Sequence, residues 1–226
     1  MDSSSDARLA LSDLELVVFD WDGTLMDSEG RIVASMQAAF GEFGREPPPA
    51  AAVRDVIGLG LAEAISRLPG VSASEDIEEL IAAYRHHYLA ANATPTPLFD
   101  GAKDLLDELH LSGRLLAVAT GKSRSGLDQA LEQTGLRGRF HATRCADETF
   151  SKPNPAMLFE LMDELGVGSS ATLMIGDTEY DLQMAENAGV RAMAVTYGAH
   201  PADRLLALNP VACAHSLADV TRLLST

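Results

Sequence analysis

Short apolar runs, each stopped by a polar or acidic residue and followed by a helix-like pattern, recur along this chain and predict a parallel sheet. Leu16-Val17-Val18-Phe19 stops at Asp20, Leu115-Leu116-Ala117-Val118-Ala119 stops at Thr120, and Thr172-Leu173-Met174-Ile175 stops at Gly176-Asp177. Runs of this length, almost free of polar residues, fit strands covered on both faces. Further strands are expected over 191–195 and near 211–214, with helices starting at Gly101, Ser123, Pro155, Thr178 and Pro201. This alternation predicts an α/β, Rossmann-like core with helices on both faces of the sheet.

About a hundred residues separate Asp20 from Thr120, far more than one crossover helix needs. They carry helical patterns from about Glu29 to Phe43, Ala50 to Ile57, Leu61 to Leu68 and Ser74 to Ala91. In the last, Ser72 and Glu75 have capping-box spacing, and Ile77, Leu80, Ile81, Tyr84 and Tyr88 form an apolar stripe read as core packing. An inserted α-helical cap over 28–97 is therefore expected, hinged near Ser28 and Thr94-Pro95-Thr96-Pro97. The core is then 14–27 plus 98–226. Residues 1–13, polar and acidic, read as a flexible tail rather than a signal peptide.

Charge and composition narrow the partners. With 17 basic and 33 acidic side chains the formal charge is -16, which argues against nonspecific binding to nucleic acid or an anionic membrane. An anionic small molecule remains compatible, because local cations set the field inside a cleft. No run approaches membrane-spanning length, and nothing repeats at a fixed period. Cys145 and Cys213 have neither disulfide-framework nor metal-site spacing, so a cytoplasmic location is expected.

The chemistry concentrates at the ends of the predicted strands. Asp20-Trp21-Asp22-Gly23-Thr24 places two carboxylates one residue apart, and burying a strand right up to an acid is costly unless the acid is used. One carboxylate suits a nucleophile and its neighbour a proton donor and acceptor, which is phosphate-transfer chemistry where a metal holds the charges together. The bland alternative is a turn at Asp22-Gly23 with Asp20 as a solvated strand end. Its weight falls because partners follow: Thr120-Gly121-Lys122-Ser123, Ser151-Lys152-Pro153-Asn154-Pro155 and Gly176-Asp177. In an open parallel sheet such segments converge outside the carboxyl ends of the strands. Trp21, between the two acids, is expected to pack in the core.

On these residues the chain resembles the haloacid dehalogenase superfamily, in its phosphoglycolate phosphatase-like branch. Asp20 to Thr24 matches the first motif, Thr120 the second, Lys152 in its Lys-Pro-x-Pro setting the third, and Gly176-Asp177-Thr178-Glu179-Tyr180-Asp181 the fourth. The resemblance implies that Asp20 carries a phosphoryl group as an aspartyl phosphate and that Asp22 exchanges protons with the leaving oxygen and the attacking water. The Thr120 hydroxyl and Gly121 amide would donate to a phosphoryl oxygen at a helix start, and Lys152 would neutralise phosphate and Asp20. A hard divalent cation is required by so many like charges, and oxygen ligands favour Mg2+. By resemblance its ligands are the Asp20 side chain, the Asp22 backbone carbonyl and Asp177, with Asp181 a neighbouring acid that orients a water or Lys152.

Substrate choice is expected to reside in the cap. Gly58-Leu59-Gly60 reads either as a loop dipping into the site or as a structural turn, and Lys122 joins these three as a specificity candidate. Arg54, Arg85, His86 and His87 either meet a second anionic group or are exposed helical charges. A dehalogenase would lack the acid at Asp22, and a phosphonoacetaldehyde hydrolase needs a cap lysine, whereas 28–97 has none. A beta-phosphoglucomutase-like mutase is weakened by Gly58-Leu59-Gly60-Leu61, which lacks that enzyme's arginine. A phospho-acceptor signalling domain without turnover is the alternative from another class. The resemblance favours a Mg2+-dependent phosphatase of a small phosphorylated metabolite, phosphoglycolate leading by family likeness alone.

Overall fold

The carboxyl ends of three adjacent strands sit side by side because of how the sheet is ordered. The structure of the protein, a computed structural model, describes residue 11 and residues 13–71, 74–91 and 93–225. Most of the expected tail, and the capping residue expected at Ser72, lie outside the described residues. Six parallel strands, β1 (Leu16–Phe19), β2 (Leu115–Thr120), β3 (Ala142–Cys145), β4 (Thr172–Gly176), β5 (Arg191–Val195) and β6 (Ala212–Ala214), lie in the order β3-β2-β1-β4-β5-β6. In register, Phe19, the last residue of β1, lies beside Val118 of β2 and Ile175 of β4, so the three strands end within about two residues of one another.

Alternate residues of β1 enter different cores, as the two-residue period of a strand requires. Val17 and Phe19 pack with Leu116, Val118 and Ile175 beneath three helices, α5 (Ala102–Leu111), α6 (Arg124–Thr134) and α10 (Leu217–Leu224). Leu16 and Val18 pack with Ala117, Ala119 and Met174 beneath α7 (Ala156–Leu165) and α8 (Glu179–Ala188). Each such side chain, fully buried, contributes roughly 1.5–3 kcal/mol relative to exposure. Trp21 is buried in the first cluster with its ring edge-on to Phe140 at 6.2 Å. Leu11 packs there too.

Two elements were not expected from the sequence. The edge strand β3 reads Ala-Thr-Arg-Cys, with no apolar run, because only one of its sides is hydrogen-bonded and Arg144 turns to Glu160 and Glu164. The last helix, α10, carries its own signals: Ser216 accepts from the Asp219 amide as a cap, and Leu217, Val220 and Leu224 share the buried face. One short helix, α9 (Ala202–Leu206), precedes β6.

The helices between β1 and β2 are α1 (Glu29–Glu42), α2 (Ala50–Asp55), α3 (Leu61–Ser66) and α4 (Ser74–His86), and α4 runs on into a π-helical turn, His87–Ala91. They enclose a core of their own around Met36, Phe40, Val53, Ile65 and Leu80, against which Ile77, Ile81 and Tyr84 lean. The chain leaves and re-enters the sheet region at neighbouring points: the Asp27 amide donates to the Pro97 carbonyl at 2.8 Å, and Arg31 Nε to the Thr94 carbonyl at 2.6 Å. Among the described residues no helix is long and apolar enough to cross a membrane.

Both cysteines are free, and their environments differ. Burial pushes the Cys145 thiol up to about 12, with Arg124 opposing, whereas Cys213 is only half-buried. At pH 8 Cys145 in the native protein is expected to alkylate about two to three orders of magnitude more slowly than in denaturant. Peptide mapping after timed alkylation reads this directly, and rapid native labelling of Cys145 would mean that the β3 edge opens.

Candidate active site

Four ionisable side chains meet where β1 and β4 end. Asp20 follows β1, Asp177 follows β4, and Asp181 sits in the first turn of α8. Carboxylate oxygens of these three buried acids lie within 4.8 Å of one another. Lys152 reaches them from the loop before α7, its Nζ 2.8 Å from Asp20 Oδ1 and 2.6 Å from Asp181 Oδ1. All four are essentially inaccessible to solvent.

The partners of these acids are unequal. Asp181 accepts from the Thr178 amide at 3.0 Å and the Thr178 hydroxyl at 2.7 Å, so the fourth motif closes into a capping box that starts α8 and aims a carboxylate at Lys152. Asp177 accepts from the Thr24 hydroxyl and the Ala199 amide, each at 2.8 Å. Asp20 differs: the Lys152 ammonium beside Oδ1 is its one partner among the described residues, and Oδ2 accepts no hydrogen bond there. A buried carboxylate in that condition is costly unless something else binds it.

Charge states follow from this crowding. Burial holds the Asp20 carboxyl well above the usual carboxylate range, Lys152 opposes, and Asp181 and Asp177 add like-charge repulsion. Asp177 is pushed up to about 7, first by burial and then by Asp181, against the Ala199 amide and the Thr24 hydroxyl. Burial acts to lower the Lys152 ammonium, but the Asp181 and Asp20 carboxylates outweigh it and raise it, so Lys152 stays charged.

Asp22 is built into a separate arrangement. Its Oδ1 accepts from Ser28 Oγ at 2.5 Å and from Lys122 Nζ at 2.9 Å, and that ammonium also donates to Tyr88 Oη at 3.1 Å. Lys122, a specificity candidate in the sequence, is thereby held on Asp22. The sequence reads Ser28 as a hinge and Tyr88 as a core residue, and nothing in the spacing of Tyr88 announces its contact with Lys122, far along the chain. Thr120 ends β2, and its Oγ1 accepts from the Lys122 amide at 3.1 Å.

Glycines let these pieces approach. Gly23 has φ +81°, and a Cβ there would lie 2.2 Å from Asp177 Oδ2, so the turn after Asp22 tolerates no side chain. At Gly121 a Cβ would come within 2.5 Å of the Leu59 carbonyl oxygen and 2.7 Å of that of Gly58. The Gly58-Leu59-Gly60 segment therefore does dip onto the loop after β2, and the Gly60 amide donates to Ser151 Oγ at 2.8 Å, next to Lys152. Tyr180 Oη donates to the Asp55 carbonyl at 2.7 Å as a further bond between α8 and the inserted helices.

Of the four candidate cations in the inserted segment, Arg54 pairs with Glu29, His87 contacts Glu42 at 2.9 Å, and His86 packs against His87. Arg85 lines a cavity of about 120 Å3 that runs from Asp20, Asp22 and Thr120 up between the inserted helices.

A parallel sheet with acids at its carboxyl edge and helices inserted after its first strand defines a Rossmann-like α/β hydrolase. The chain belongs to the haloacid dehalogenase-like hydrolase family, whose model matches residues 17–195. It is 30% identical to the phosphoglycolate phosphatase of Vibrio parahaemolyticus over 217 residues, covering 92% of this chain and 95% of that protein. It is 32% identical to the N-acetylmuramic acid 6-phosphate phosphatase of Pseudomonas aeruginosa over 193 residues, 84% of this chain and 85% of the relative. A solved haloacid dehalogenase-like family hydrolase from Streptococcus pneumoniae superposes with a TM-score of 0.82 at 25% identity, over 93% of this chain and 98% of that one.

Proposed function

We propose that this protein is a Mg2+-dependent phosphatase of small phosphomonoesters that works through an aspartyl phosphate on Asp20. The observation that carries the reading is Asp20 itself, buried, with the Lys152 ammonium as its one partner among the described residues, Oδ2 free of hydrogen bonds there, and the Asp177 and Asp181 carboxylates within 4.8 Å. An all-oxygen donor set with an unsatisfied carboxylate fits a hard cation. The Asp20 side chain, the Asp22 carbonyl and Asp177 would hold Mg2+, which when bound supplies the positive charge that lets a phosphate dianion enter among acids. Asp181 is committed to Thr178 and Lys152, which supports its assignment as an anchor for the lysine rather than a ligand.

In this reading an Asp20 oxygen attacks phosphorus, the ester P–O bond breaks, and the departing oxygen takes a proton from the Asp22 carboxyl group. Water then attacks phosphorus, gives its proton to Asp22, and releases inorganic phosphate with Asp20 restored. Thr120 Oγ and the Gly121 amide orient the phosphoryl oxygens, and Lys152 balances their charge. Residues 28–97 act as the cap and 14–27 with 98–226 as the catalytic core, and the unpaired cysteines fit a reducing cytoplasm.

Phosphate release from a panel of small phosphomonoesters, with and without Mg2+, tests the activity. Mg2+ is also expected to raise the melting temperature of the wild-type protein, and Asp177→Asn to lose most of that increase along with turnover. Turnover undiminished by chelation, or equal Mg2+ stabilisation of wild type and Asp177→Asn, would remove the cation from the mechanism.

A further inference from the structure

The walls of the cavity above Asp20 name the kind of ester it accepts. Ile32, Met36, Val53, Val56, Ile57 and Leu61 form an aliphatic wall contributed by the inserted segment. One side is closed by Tyr84 and Tyr88, stacked with ring centres 5.7 Å apart. Beyond the groups at the Asp20 end and Arg85, the polar side chains of the lining are engaged: Lys122 Nζ bonds Asp22 and Tyr88, and Ser123 and Ser125 share a hydrogen bond at 3.2 Å. Tyr84 brings one hydroxyl with no partner among the described residues, a single neutral contact. Arg85 lines the cavity as an exposed residue. Away from Arg85, a carboxylate or a set of sugar hydroxyls placed against those aliphatic walls would lose water without gaining a partner, whereas a hydrocarbon group would lose nothing.

We propose, resting on the phosphatase reading, that the substrate is a phosphomonoester whose organic part is small and apolar. The cavity, about 120 Å3, also takes in Asp20, Asp22 and Thr120, so the phosphoryl group shares it and the organic part is limited to a compact group. The class that follows is aryl, benzyl or alkyl phosphates. Phosphoglycolate, with a carboxylate beside its phosphate, and hexose phosphates lie outside it.

The test uses the full chain with Mg2+ and two series. In the first, kcat/KM is measured for benzyl phosphate, phosphoglycolate and glucose 6-phosphate. Benzyl phosphate is expected to lead by at least about tenfold, the discrimination that a few buried carbons provide. In the second, calorimetry compares two non-hydrolysable ligands, benzylphosphonate and phosphonoacetate, with the former binding more tightly and with a negative heat-capacity change. Ile32→Lys, at a half-buried wall position, is expected to shift both ratios about tenfold towards the carboxylate-bearing member, with circular dichroism as the check on folding. A preference for phosphoglycolate or glucose 6-phosphate in the wild type would overturn the proposal. If that phosphoglycolate preference vanished in Arg85→Gln, Arg85 would be the receptor of the carboxylate. Tight benzylphosphonate binding without turnover of any ester would sink the phosphatase reading and leave the apolar chamber standing, and failure to bind it more tightly than phosphonoacetate would sink the chamber.

Discussion

Asp20→Asn is expected to abolish phosphate release and, in the absence of metal, to make the protein more stable. The loss of turnover follows from removing the attacking oxygen and should reach about four orders of magnitude or more, as for other nucleophiles that act within a constellation. The gain in stability follows from the charge balance of the site. Three buried carboxylates face one ammonium, and among the described residues Asp20 is the one with no hydrogen bond beyond that ammonium. A neutral amide of the same shape removes one uncompensated charge, while Lys152 keeps Asp181 at 2.6 Å. An increase of about 1–2 kcal/mol in urea unfolding is expected, the usual return when a strained functional group is neutralised. Appreciable turnover by this variant would remove Asp20 from the nucleophile role, and a lower stability would mean that its charge is better compensated than its contacts indicate.

Lys152→Met is expected to act in the opposite direction on stability and in the same direction on activity. Lys152 is fully buried and is the cation in contact with both Asp20 and Asp181. Its removal leaves acids packed against acids, and breaking a buried ion pair from one side costs about 3–5 kcal/mol. Methionine keeps the apolar stem, so lost packing contributes little. Adding Asp20→Asn to this variant should recover part of the loss, with a coupling of roughly 1–3 kcal/mol because the two side chains touch. Additive effects in that double-mutant cycle, measured by urea unfolding, would refute the charge argument. Phosphate release by Lys152→Met near the wild-type rate would refute its place beside the phosphoryl group.

The two predictions draw on different kinds of information. Asp20, Thr120 and Asp177 each end an apolar run, and a run buried on both faces must end where the sheet ends, so their placement at one edge is visible in a linear pattern. Thr178 and Asp181 are three residues apart and close their own capping box, also a local feature. The edge strand β3 escaped because pairing on one side imposes no apolar run, and Thr143 and Arg144 occupy its middle. The contacts of Lys122 with Asp22 and Tyr88 escaped for a different reason: they join the loop after β2 to the loop after β1 and to the π-helical turn that follows α4. No spacing rule connects such segments.

Local hydrogen bonding and hydrophobic periodicity act over a few residues, so the chain alone carried the class of fold, the order of its elements apart from β3 and α10, and the identity of the acids at the sheet's edge. The balance of three carboxylates against one ammonium, the seating of Gly58-Leu59-Gly60 on Gly121, and the apolar lining of the cavity arise from packing between segments tens of residues apart. Burial sets the cost of each charge, and burial is a property of the assembled molecule.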